Sequence, residues 1–170
     1  RLVRTNTPHV LVANSQAKLI ATNEWTVNWP QARPNSPLWY LAPLGALVHR
    51  VDASALLDLY YSTAIADPQP ERWLEVATDA LRSFSQRFGE RRQGSESFLL
   101  LILARDPGAV TIGAEYTNAA VVSEPDRDTL RHEILHSWFG RSLFPATHDD
   151  AWWDEGAAIY FSLDEDTSLP

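Results

Sequence analysis

Apolar positions along the chain change period several times, and each change marks an element. In residues 1–50, Val10-Leu11-Val12 runs apolar and Trp25-Thr26-Val27-Asn28-Trp29 alternates, both bounded by turn formers, which predicts a β-rich segment. Gln31 to Pro37 holds two prolines and an Asn-Ser pair and reads as a loop. Leu38 to Val48 is apolar but broken by Pro43 and Gly45, which favours strand over helix, and Val51 to Tyr61 fits either. Trp73, Ala77, Ala80, Leu81, Phe84 and Phe88 then recur at threes and fours, the apolar face of a helix over 71–88. Pro68 and Pro70 stand at its start and Gly89 at its end. Glu90 to Ser97 is a polar loop, and Phe98 to Ala104 is a continuous aliphatic run of the kind found in strands covered on both faces. Asp106-Pro107-Gly108 predicts a turn. Val110 to Val122 is β-like, with Gly113, Ala114, Ala119 and Ala120 small enough for another backbone to come close. Ser123-Glu124-Pro125-Asp126 resembles a capping box, opening a helix from 126 to about Phe139 that Gly140 stops. After a loop containing Pro145, Asp149 or Asp150 is placed to cap a final helix over 151–162.

Composition narrows the function. The 170 residues are enough for one ordinary domain and short for a multi-domain enzyme. Basic residues number 14 against 22 acidic, a formal charge of −8, so neither nucleic acid nor an anionic membrane is expected as a partner. Cysteine is absent, which removes disulfides, thiolate zinc ligands and cysteine nucleophiles. No apolar run approaches the roughly 18 residues of a membrane helix. The chain opens on Arg1 and contains no Met, so it is expected to start inside a longer gene product.

The chemistry concentrates in His132-Glu133-Ile134-Leu135-His136. Four residues advance a helix by about 6 Å and one turn, so both imidazoles share a face and can reach one zinc ion. Glu133 lies beside them, near enough to take a proton from the water such a metal activates without being a ligand. A catalytic zinc needs a third protein ligand from another element, and Glu155 on the next helix is the natural candidate. His9 and His49 lie far from this motif and read as structural. His148 reads as a surface residue, and Asp126 and Asp128 as favourable charges at a helix N-terminus. Ser123 has no base near it in the pattern, so serine chemistry has no support.

His132-Glu133-x-x-His136, eighteen intervening residues and Glu155 resemble the aminopeptidase N family of zinc metallopeptidases, gluzincins with a thermolysin-like catalytic domain. His136-Ser137-Trp138-Phe139-Gly140 is similar to the family's His-x-Trp-Phe-Gly, and Trp152 to Phe161 to its block around the zinc Glu. Asn35 to Ala42 and the helix ending Arg87-Phe88-Gly89 are weaker matches. The resemblance implies an α+β fold. Residues 1–50 would close an N-terminal β-domain, and 51–170 would form the α/β half of a thermolysin-like zincin domain, a mixed sheet packed on the His-Glu-x-x-His helix.

It also implies one Zn²⁺ per chain held by His132, His136 and Glu155, with Glu133 as general base and an extended peptide substrate on the strand from about 112 to 118. Ile112-Gly113-Ala114-Glu115-Tyr116 aligns with the family's Gly-x-Met-Glu-Asn, whose Glu holds the substrate's amino terminus. Gly113, Ala114 and Glu115 are thereby candidate substrate-binding residues, although the leading Gly, the Met and the Asn are changed. The family's oxyanion Tyr and its closing helical lobe fall beyond Pro170, so the isolated chain is expected to be inactive without the rest of the parent polypeptide. Two alternatives stand beside the aminopeptidase: a zinc endopeptidase, and a non-catalytic scaffold that retains the zincin fold.

Overall fold

A computed structural model describes residues 2–28, 37–91, 96–106, 108, 112–123, 125–143, 147–150 and 152–163, with the backbone alone at His148. Residues 31–36 of the expected loop ending at Pro37, residues 92–95 of that at Glu90–Ser97, and Pro107, Glu124 and Pro145 lie outside the described residues.

The fold is α+β, as the resemblance implies. Two small antiparallel sheets come first. β1 (Leu2–Arg4), β4 (Glu24–Asn28) and β3 (Gln16–Ala21) form one, in that spatial order, and β2 (His9–Ala13) pairs with β5 (Trp39–Pro43) in the other. A five-stranded mixed sheet follows, in the order β6 (Leu47–Asp52), β7 (Leu57–Ser62), β8 (Phe98–Ile102), β10 (Ala119–Val122) and β9 (Gly113–Tyr116). Its inner pairs β7–β8 and β8–β10 are parallel and its outer pairs antiparallel. Three helices complete the chain: α1 (Pro70–Phe88), α2 (Arg127–Leu135) and α3 (Trp152–Leu163).

The apolar stretch 38–48 is two strands rather than one. Gly45, at φ 86°, makes a turn between β5 and β6 that other residues would adopt only with strain. The segment 51–61 resolves into the end of β6, a turn and β7. In that turn Asp52 Oδ1 accepts from the Ser54 and Ala55 amides at 2.9 and 3.2 Å, and Asp52 Oδ2 accepts from the Thr78 hydroxyl of α1 at 3.0 Å. Along β7, Leu57, Leu59 and Tyr61 are buried while their neighbours are half-buried, the period-two pattern of a strand with one face inward.

β8 is buried at every position because both its faces are covered. Phe98, Leu100 and Ile102 join Trp73, Ala77, Phe84, Leu130 and Ile134 under α1 and α2, whereas Leu99 joins Val12, Leu38 and Ala119 on the opposite face. Val110 and Thr111 lie outside the described residues, and from Gly113 to Val122 the chain is a hairpin, β9 and β10, turned at Thr117-Asn118. Asn118 takes φ 55°, which Asn tolerates better than most residues, and its side chain bonds Arg91 and the Ser97 carbonyl.

α2 ends earlier than its pattern suggests. It stops at Leu135, and residues 136–138 continue as a tighter turn in which the Ser137 and Trp138 amides bond back three residues. The following chain folds onto that turn. Arg141 N donates to the His136 carbonyl, the Ser142 hydroxyl to that of Ser137, and Leu143 N to that of Trp138, so the carbonyls that would have extended the helix are taken. Its N-cap is Asp126, which accepts from Thr129 N at 2.7 Å. Ser123 instead bonds the Ile112 carbonyl and belongs to the hairpin, not to the helix. Asp149 and Asp150 lie in a 3-10 turn before α3, and Ala151, which separates them from the helix, is outside the described residues.

Candidate functional site

Three contacts fix where α2 presents its histidines. Trp138 Nε1 donates to the Gly89 carbonyl at 2.7 Å, tying the exit of α2 to the end of α1. Arg131 Nε donates to the Ser162 carbonyl at 2.9 Å, tying α2 to α3. Phe139 stacks on Phe161 at 5.5 Å between the same two segments.

The result brings His132, His136 and Glu155 together. The two Nε2 atoms are 3.2 Å apart, Glu155 Oε2 is 3.3 Å from that of His132, and Glu155 Oε1 is 3.6 Å from that of His136. A tetrahedral zinc with bonds of about 2.0–2.1 Å places its ligand atoms about 3.3 Å from one another, so the donor set fits the ion in chemistry and in spacing. Across the chain order, the helix turn supplies two of these donors and the α2–α3 packing supplies the third.

Electrostatics favour a neutral imidazole at His132. Burial and the neighbouring His136 hold His132 below its ordinary pKa, against the opposing pull of Glu155 and Glu115. His136 is 1% exposed, and its Nδ1 lies 3.1 Å from the Phe139 carbonyl. An Nδ1–H donated there leaves the Nε2 lone pair directed at the tripod. Gly140, at φ 100°, lets the chain turn beneath this ring, where a Cβ would come within 3.3 Å of His136 Nδ1.

Glu133 is 7% exposed, and its Oε2 has no hydrogen-bond partner among the described residues. Burial first, then repulsion from Glu115 and Glu155, pushes its pKa up from 4.5 to about 8. A buried polar atom without a partner is unfavourable for folding. Gly113 of β9 abuts the same carboxylate, and a Cβ there would overlap it. A small residue of this stretch does admit a close neighbour, but at Gly113 that neighbour is the Glu133 side chain.

A cleft of about 490 Å³ opens over these groups, lined by Gly113, Glu115, His132, Glu133, His136 and Glu155 among others. Ala114 sits between its two strand neighbours on β9. Glu115 is held by Arg141, whose Nη2 donates to its Oε1 at 2.6 Å and to its backbone carbonyl at 3.0 Å. Arg141 carried no signal in the sequence beyond following His136–Gly140 directly. His9, beside Thr7, and His49, bonded to Asp58 and stacked on Tyr60, take no part in the cluster. No helix among the described residues is long and apolar enough to cross a membrane.

No family model and no curated protein sequence matches the chain. Among solved structures, it is similar to a mutant of an M1 zinc metallopeptidase from Deinococcus radiodurans, with a TM-score of 0.57 at 17% identity over 92% of this chain. The match spans 37% of that structure's own chain. At this identity the likeness shows the fold, and the α+β arrangement described above is the one found in that metallopeptidase.

Proposed function

We propose that the chain carries the metal centre and general base of a zinc-dependent peptidase. His132, His136 and Glu155 would hold Zn²⁺, and Glu133 would handle the protons. The observation that supports this most directly is the tripod of donors 3.2 to 3.6 Å apart beside a buried, unpartnered carboxylate. Zinc bound there would acidify a water and polarise a carbonyl. Glu133 Oε2 would accept the proton released on attack at the scissile carbonyl and later return it to the leaving amine. A pKa raised toward neutrality suits both directions of transfer, and a bound cation would draw it down from about 8.

Among the described residues β9 stands at the edge of the five-stranded sheet, with β10 on one side only. An extended peptide can pair along its other edge, laying one carbonyl over the tripod. In the aminopeptidase reading Glu115 holds the substrate's free ammonium group. In the endopeptidase reading it does not, and the Arg141 ion pair on Glu115 favours this second reading.

The same proposal divides the chain near residue 50, with the end of a β-domain before it and part of a catalytic domain after. It also assigns the rest of a longer polypeptide as partner. α3 exposes Trp152, Ile159, Tyr160 and Leu163, and Glu155 is 56% exposed on that side, which supports a further lobe closing over α3. In that case these 170 residues alone hydrolyse peptides weakly at best.

Metal analysis after dialysis tests the centre. One zinc per chain is expected in the wild type and in Glu133→Gln, and much less in His132→Ala. A wild type that takes up no zinc would overturn the assignment and leave the scaffold reading standing. In the protein assembled with its further lobe, Glu133→Gln should abolish peptide hydrolysis while zinc is retained, and unchanged turnover would remove the base.

A further inference from the structure

We propose that Arg141 determines which peptides the cleft accepts, by cancelling selection for a free amino terminus at Glu115; the substrate class is peptides that enter with their amino end acylated or well away from the scissile bond. The inference rests on the metallopeptidase reading above and specifies it. Glu115 lies on β9, and its carboxylate lines the cleft beside those of Asp128, Glu133 and Glu155; it is the one that the aminopeptidase reading assigns to a substrate ammonium group. Arg141 already fills that role from within the chain. One guanidinium nitrogen is shared by the Glu115 carboxylate at 2.6 Å and the Glu115 carbonyl at 3.0 Å, so the arginine is fixed to both side chain and strand.

Both side chains are largely covered, 18% and 25% exposed, which limits screening by water. Arg141 Nε is buried with no hydrogen-bond partner among the described residues, so the stem is sequestered as well. Its backbone is anchored separately, Arg141 N donating to the His136 carbonyl at 3.0 Å. An incoming ammonium group would meet a carboxylate that is already paired, and a guanidinium of like charge beside it. A neutral acylamide or a continuing peptide meets no such repulsion, and its N–H and C=O can pair with the free edge of β9.

The test uses the zinc-loaded chain and two ligands that differ at one end: an aminoacyl hydroxamate with a free α-amine, and its N-acetylated form, both anchored by the zinc-binding hydroxamate. Calorimetric Kd values should agree within about threefold for the wild type. In Arg141→Met, which keeps an apolar stem in place, the free amine should bind about tenfold more tightly than the acetylated form, and Glu115→Gln added to it should erase that preference. Zinc content measured on each variant confirms an intact site. A wild type that already prefers the free amine tenfold, or an Arg141→Met protein whose ratio stays flat, would overturn the assignment. Failure of the wild type to load zinc would instead remove the metallopeptidase reading beneath it.

Discussion

α1 and α2 lie side by side on one face of the five-stranded sheet and are built on opposite terms. α1 runs for 19 residues and buries Trp73, Ala77, Ala80, Leu81 and Phe84 along a single stripe. α2 runs for 9 residues, yet it buries Arg131 and Glu133 with its leucines and isoleucine, and delivers the buried His136 just past its end. Apolar burial of the first kind stabilises by about 25 cal/mol per Å² removed from water. Ionisable groups of the second kind lose hydration and are favourable only when paired. Arg131 is paired through the Ser162 carbonyl and lies over the Phe84 ring, whereas Glu133 Oε2 has no such partner among the described residues. The contrast sets α1, whose apolar stripe holds the fold, against α2, whose buried ionisable groups are the ones to which the proposed function assigns the chemistry.

Phe84→Ala should show the largest effect on this contrast. Phe84 meets Trp138 edge-on at 5.8 Å and supports Arg131, so it joins the two helices. A buried Phe→Ala change costs about 3–5 kcal/mol, read as a shift in the urea midpoint. A cost below about 1 kcal/mol would mean that α1 does not hold α2 in place.

Glu133→Gln should behave in the opposite sense in metal-free protein. With its pKa raised from 4.5 to about 8, folded Glu133 keeps a proton that the unfolded chain releases between those values. Its contribution to stability is therefore fullest below pH 4.5 and is lost as pH rises to about 8. Urea unfolding with a chelator present should show this fall for the wild type, of the order of 1–3 kcal/mol for an unsatisfied buried group. Glu133→Gln should flatten it. A wild-type profile that rises over the same interval would break the comparison between the helices.

Zinc supplies the next test. A ligand that binds only the folded state at a hundred times its Kd stabilises by about 2.7 kcal/mol. The wild type should gain that much on zinc addition and His132→Ala should gain far less, measured as the shift in melting temperature. Equal shifts in both proteins would place the metal elsewhere.

The sequence made α1 legible from end to end, because one apolar stripe, two prolines and a glycine all agree on its limits. It made the tripod legible for a different reason: His132 and His136 are placed by helical geometry, and Glu155 by its position on the next predicted helix, which the family block then matches. What it hid were interactions between segments distant in the chain. β5 and β6 ran together in the pattern because only Leu44, Gly45 and Ala46 separate them, and two of these are apolar. β9 and β10 ran together because Asn118 is the turn residue, and Asn gives a weaker signal than Gly. α2 read longer than it is, because the donors that stop it, Arg141 N, the Ser142 hydroxyl and Leu143 N, come from the chain that follows. Arg141 escaped notice for the same reason, since its partner lies 26 residues away on β9. Pattern reports which face of an element is apolar, and it does not report which ion pair a fold will assemble.

The helix starts offer the smallest effect and a direct measure of how differently the two helices are secured. α1 begins at Gln69 with no side-chain cap bond, and Pro70 occupies a first-turn position where a missing N–H costs nothing. Its long apolar face makes a cap dispensable, so Gln69→Ala should change stability by less than about 0.5 kcal/mol. α2 is half as long and begins at Asp126, whose carboxylate takes the Thr129 N–H at 2.7 Å. Loss of such a cap costs about 1 kcal/mol, and here it would loosen the turn immediately before His132. Asp126→Ala should therefore lower the urea midpoint measurably and weaken zinc retention in the same protein. If both alanine variants proved equally neutral, α2 would be held by its packing as α1 is, and the buried charges along it would be borne by the core rather than by its own first turn.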